Sequence, residues 1–131
     1  MRLRILSTLL IAAALCASAL AQEGHPLVGT WSGDWGPSAT HRNQVTIVLN
    51  WDGKNVTGII NPGPDVVPIK VVTLDSTKWT VHLEADAKDA KGNPVRFIVD
   101  GKLDDILSYR RTLTGSWSHG NVKGNFKLIR D

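Results

Sequence analysis

The 131-residue chain contains a single cysteine, Cys16, and that residue lies in an amino-terminal stretch that reads as a leader. Without a second thiol there is no disulfide, so apolar burial has to hold the fold. Charge of one sign is scarce too. The formal net charge is +3, and without Arg2 and Arg4 thirteen Lys and Arg face twelve Asp and Glu, a net charge of +1. No basic cluster longer than Arg110-Arg111 follows the leader. Nucleic-acid binding wants a basic stripe, so nucleic acid is excluded as a partner. The one long apolar run, Ile5 to Leu15, is eleven residues and is followed by Ala19-Leu20-Ala21. That is a positive n-region, an apolar core and an A-x-A cleavage signal, and it is shorter than the roughly 20 residues of a membrane span. Residues 1–21 are expected to be removed, giving a periplasmic or secreted protein with no membrane span. Leu15 precedes Cys16 where a lipoprotein signal wants a small residue, so no lipid anchor is expected. The remaining 110 residues suffice for one domain, 22–131, burying about two-thirds of its unfolded surface.

Aromatic residues make up only 6% of the chain, yet five of the eight are tryptophan. A near-repeat places two of them: Gly29-Thr30-Trp31-Ser32 and Gly115-Ser116-Trp117-Ser118. Alternation of apolar and polar residues predicts eight strands, about 27–35, 44–51, 55–60, 67–74, 78–85, 94–103, 111–118 and 122–130. Asp52-Gly53 is a hairpin turn, Asn61 to Asp65 a loop, and Val71-Val72 a break in alternation that predicts a bulge. Gly36–Asn43 and Asp86–Asn93 read as loops, and 104–109 as a connection with room for one helical turn. Short strands with hairpin-length connections predict an all-β fold, a single eight-stranded antiparallel up-and-down barrel, because closure removes exposed edges. A β-sandwich is the alternative.

Parity puts all five tryptophans on the inward side, with Phe126 and Leu128 on the last strand. Topology then divides them. Trp35 and Trp117 fall at the end carrying the longer loops, the expected mouth. Trp31, Trp51, Trp79 and Arg130 fall at the tighter end as structural residues. Arg130 shares the inward parity, and a Trp face there predicts a cation–π contact of roughly 0.5–2 kcal/mol. His41, Arg42, Asn61 and His119 adjoin Trp35 and Trp117. Together these six are the candidate site for a small apolar or amphipathic ligand.

Catalytic patterns are few. There is no Gly-x-Ser-x-Gly elbow and no cysteine nucleophile. Ser118, His119 and Asp34 are the one triad to consider. His41 and His119 with Asp34 or Asp65 are the one metal set at the mouth, and His82 and Glu84 share an outward face. Solvated side chains are the plainer account of both. No metal and no cofactor is expected. Asp104-Asp105 reads as a turn rather than a glycosidase pair. Asn55-Val56-Thr57 fits a glycosylation acceptor by pattern alone.

Gly29, Trp31 and Arg130 resemble the Gly-x-Trp and last-strand basic residue of the calycins, the lipocalin-like and avidin-like barrels. From Leu27 to Arg130 the chain is also similar to a small β-rich domain of secreted bacterial proteins that often precedes α/β-hydrolase domains. The matching segments are Gly29-Thr30-Trp31-Ser32-Gly33, Gly115-Ser116-Trp117 and Phe126-Lys127-Leu128-Ile129-Arg130. The resemblance implies a bacterial, non-enzymatic binding or accessory module without catalytic residues, and makes the glycosylation pattern coincidental. Two alternatives stand beside it. One is a protein-interaction module, such as a protease inhibitor using Gln22 to Pro26 or a hydrolase partner. The other is an enzyme with a barrel-mouth site built on His41 and His119.

Overall fold

The computed structural model describes residues 25–63 and 66–131. The leader with Cys16, residues 22–24 of the amino-terminal arm, and Asp65 lie outside them. Eight strands follow in order: β1 (Gly29–Ser38), β2 (His41–Trp51), β3 (Val56–Ile60), β4 (Val67–Asp75), β5 (Thr80–Lys88), β6 (Pro94–Asp104), β7 (Thr112–His119) and β8 (Val122–Arg130). Each pairs antiparallel with the next, and β8 closes on β1 from Trp31↔Arg130 to Gly36↔Asn125. The fold is a closed, eight-stranded, up-and-down barrel.

Alternation builds the interior. Val45, Ile47 and Leu49 of β2 are buried, as are Val81, Leu83 and Ala85 of β5. Successive side chains of a strand point to opposite faces, so the residues between them face water. Each fully buried Leu or Ile contributes about 1.5–3 kcal/mol. Gly101 and Gly115 face each other across β6 and β7. A Cβ on Gly101 would lie 2.9 Å from Cζ of Phe126, so bare backbone here is what admits that ring to the core.

The first hairpin is longer than expected. The predicted loop over Gly36–Asn43 is drawn into pairing up to Ser38↔His41, with a register shift after Trp35. Polar Thr40, His41 and Asn43 face solvent on both sides of the tip, so nothing opposes continuing the ladder. β5 is likewise displaced toward its carboxyl end. Trp79 precedes it in a turn, with φ of 55°. No helix forms over 104–109; Asp105 (φ 57°) turns the chain, and its carbonyl accepts from the Ser108 amide.

One seam is weak. β3 and β4 share only Ile59↔Pro68 and Ile60↔Val67. Pro68 has no N–H to give, and β4 shifts register on β5 between Ile69 and Val71. The expected bulge is therefore real and lies just before Val71-Val72. Past it the two strands part around a cleft of about 390 Å³ between Asn55–Thr57 and Ile69–Val72.

Candidate functional site

The two barrel ends are built differently. At the tight end Trp31 is 0% exposed, and its indole N–H donates to the Leu27 carbonyl at 2.8 Å. Leu27 is itself fully buried, with Leu103 and Leu113. Arg111 donates to the carbonyls of Ile106 and Pro26, both at 2.8 Å, tying the amino-terminal arm to the β6–β7 turn. Burial, then the neighbouring Arg130, pull the Arg111 guanidinium below its ordinary range. Arg130 packs against Gly29 and donates to the carbonyls of Tyr109 and Val28. Its cation–π partner is Tyr109, 5.6 Å from the ring centroid, and not a tryptophan. The Tyr109 ring is exposed on the turn, within reach of the guanidinium, while the Trp31 ring is turned into the core.

Two expectations at this end need correction. Trp51 is 48% exposed rather than interior. It is the last residue of β2, and its ring stacks on His25 of the arm at 5.8 Å. Part-burial lowers the His25 pKa. Trp79 packs on the core edge from its turn instead of from a strand, and its carbonyl accepts from the Leu103 amide at 2.8 Å.

At the loop end the rings gather. Trp35 and Trp117 lie 4.7 Å apart, and Phe97 stacks on Trp35 at 5.2 Å. His119 stacks on Phe97 at 4.1 Å with 13° between planes. Cross-strand register produces this, since Phe97 pairs with His119 and Trp35 with Phe126. Trp117 is 8% exposed, and its indole N–H donates to the Asn125 carbonyl at 3.2 Å. Trp35 is half-buried, stacked on Phe97 and Trp117 and packed against the core edge, and among the described residues its indole N–H makes no hydrogen bond. Next to the rings lies a void of about 10 Å³, bounded by Trp35, Trp117, Ile47, Ile60, Phe126 and Leu128 among other apolar side chains. That is about one water's worth of space with no polar lining, so it is dry. His119 Nε2 is sealed from solvent and has no hydrogen-bond partner among the described residues.

Of the six candidate residues, Trp35, Trp117 and His119 meet, and Phe97 joins them. The other three sit elsewhere. Arg42 lies on the outer wall, 2.6 Å from Asp34 and 2.6 Å from the Asn125 side chain. His41 bonds Ser38 at the hairpin tip at 3.1 Å. Asn61, at φ 52°, accepts from the Thr46 amide and closes the end of β3. Each is spent on its own hairpin or wall. Phe97 was legible as an inward residue, but its place beside His119 depends on register.

The catalytic alternatives do not assemble. Ser118 and His119 are neighbours on one strand and face opposite sides, and Asp34 is engaged by Arg42. Asp105 accepts from the Thr112 hydroxyl at 3.2 Å, within its own turn. Among the described residues no three His, Asp or Glu side chains converge as a metal site. His82 and Glu84 belong to an outer-wall ladder: His82 bonds Asp100 at 2.6 Å and Glu84 at 3.0 Å, and Arg96 reaches Glu84 and Asp86 at 3.0 Å each. Asp100 first, then Glu84, raise the His82 pKa, while His82 chiefly lowers that of Glu84. A depression of about 580 Å³ lies beside this ladder, over Gly101 and Gly115. It is open to solvent, and His82 is the one ring that lines it, beside Asp100 and Lys102. Comparison with protein-family models, with curated proteins and with solved structures finds no match to this chain.

Proposed function

We propose that the protein is an exported, non-enzymatic binding module that takes a small apolar or amphipathic ligand at the loop end, beneath Trp35. The observation that carries this reading is the contrast among rings in one layer. Trp117 is anchored by a hydrogen bond, whereas Trp35 is half-buried and held by stacking and apolar packing with no hydrogen bond among the described residues. The void beside them is too small for any ligand as it stands. Swinging the Trp35 indole outward vacates room for one ring-sized molecule, and an apolar cavity of about 150 Å³ is known to hold benzene. The leader composition supports export, and the sequence positions of Gly29, Trp31 and Arg130 support a calycin-like ancestry.

Titrating the protein with toluene while following tryptophan emission tests the reading. A saturable change that is lost in Trp117→Ala or strengthened in Trp35→Ala supports it. No change up to the solubility of toluene removes it.

A second reading rests on a separate observation. Leu107 is fully exposed and Tyr109 is largely so, on the β6–β7 turn at the opposite end. A nearly filled barrel with an apolar turn suits a protein-interaction module, including a protease inhibitor or a hydrolase partner. Loss of a captured partner on Leu107→Ser, with ligand binding intact, would favour it.

A further inference from the structure

The ligand reading leaves one atom unexplained. His119 Nε2 is buried without a partner among the described residues, in a layer of aromatic rings. An orphaned polar group of this kind is destabilising unless something satisfies it. Flat stacking on Phe97 at 4.1 Å fixes the imidazole plane within the ring layer. The neighbouring indole N–H of Trp117 already has its acceptor in the Asn125 carbonyl. The site therefore offers an apolar slot and a single unmet hydrogen-bonding position.

The charges at this end say what should meet it. Lys88 ends β5, Lys91 sits in the β5–β6 turn, and Lys123 is the second residue of β8. None of them is in an ion pair among the described residues. The described acids at the same end are engaged. Asp34 pairs with Arg42 and Asp86 with Arg96, and the Asp89 carboxylate accepts from the Lys91 and Asn93 amides. Lys123 pairs across β7–β8 with Ser118, immediately before His119. Among the described residues these three lysines outnumber the one acid at this end that no cation pairs, Asp89, and a negative head group gains from that excess on approach.

Resting on the binding reading above, we infer that the ligand is a small planar carboxylate, a ring-sized apolar body whose carboxylate oxygen accepts from His119 Nε2–H. The ring replaces the Trp35 indole against Trp117 and Phe97. The carboxylate takes the one position where the cluster lacks a partner, facing the lysine-bearing turns.

Three probes of one size separate the possibilities: toluene, benzoate and benzylammonium, each titrated into the full protein and into His119→Phe. The substitution keeps a ring on Phe97 and removes the nitrogen. The expected result is benzoate binding about tenfold tighter than toluene, with benzylammonium weakest. In His119→Phe the benzoate preference should vanish while toluene binding persists. A nitrogen-15 spectrum of the wild-type imidazole gives a reading that needs no variant, and Nε2 of His119 should shift with benzoate and not with toluene. Toluene binding with no benzoate preference, or a preference unchanged in His119→Phe, overturns the carboxylate inference and leaves the apolar slot standing. Binding of none of the three overturns both.

Discussion

The same short segment is used at both ends of this barrel, and the two uses differ in what surrounds them. Gly29-Thr30-Trp31-Ser32 puts its indole where the amino-terminal arm folds over the barrel. Trp31 finds an acceptor in Leu27, and Arg111 and Arg130 satisfy four further carbonyls around it. Gly115-Ser116-Trp117-Ser118 puts its indole at the end with no covering arm. There Trp117 is backed by Trp35, Phe97 and His119, with a void beside it and one nitrogen unmatched. A tryptophan on an inward position is thus neither structural nor functional in itself. At one end the indole is fully buried and its N–H, with two arginines, satisfies the surrounding carbonyls. At the other a half-buried indole and an unmet polar atom mark the end proposed to bind.

If this contrast is right, the largest effect comes from Trp31→Ala. It should cost about 3–5 kcal/mol, a large part of the stability of a small domain, because it opens a cavity and strips the Leu27 carbonyl of its donor. Urea unfolding measures it. Trp35→Ala should cost about 1–2 kcal/mol, since its ring is only half-buried. Equal losses at the two positions would erase the distinction between the ends. Next comes Arg130→Met, which keeps the aliphatic packing on Gly29 and removes the donors to Tyr109 and Val28. A loss of about 1–3 kcal/mol is expected, with tryptophan emission at the loop end unchanged.

Much of this was legible in the sequence, and the exceptions have physical causes. Clean alternation such as Val81, Leu83 and Ala85 carries the strands, the barrel order and the division between ends. The sequence expectation puts His119 beside Trp35 and Trp117 from just past the end of a strand over 111–118, and β7 runs one residue further to include it. Parity failed where a strand outruns the sheet's cover: Trp51 continues the parity of Val45, Ile47 and Leu49 but lies beyond the barrel end. It failed at Trp79 because a bulky residue at positive φ is uncommon, and nothing local announces it. Phe97 escaped the site list because stacking on His119 is set by the register of β6 on β7, which a single strand's pattern does not contain. His41, Arg42 and Asn61 are polar residues near the mouth in sequence, and each found a nearer partner.

Smaller effects follow along the walls. Amide exchange should be fastest, among the strands, at the β3–β4 seam, because only two residue pairs hold it. Uniform protection around the barrel would contradict that. The least effect belongs to the outer ladder. The His82 pKa is raised in the folded state, so its contribution is full below pH about 6.5 and fades as pH rises through the higher folded value. His82 and Asp100 are solvent-exposed, so removing the pair with His82→Phe should cost only a few tenths of a kcal/mol. Unfolding free energies compared at pH 5.5 and 8.5 measure the loss with rising pH, and His82→Phe should remove it, leaving the opposite trend from His25, whose lowered pKa favours the folded state as pH rises.

The most direct test of a closed structural end and an open binding end is the indole N–H spectrum of the nitrogen-15-labelled protein, recorded as toluene is added. The resonances of Trp35 and Trp117 should shift together and saturate, while that of Trp31 stays in place. Shifts at Trp31, or no shift at Trp35 and Trp117, would contradict the account.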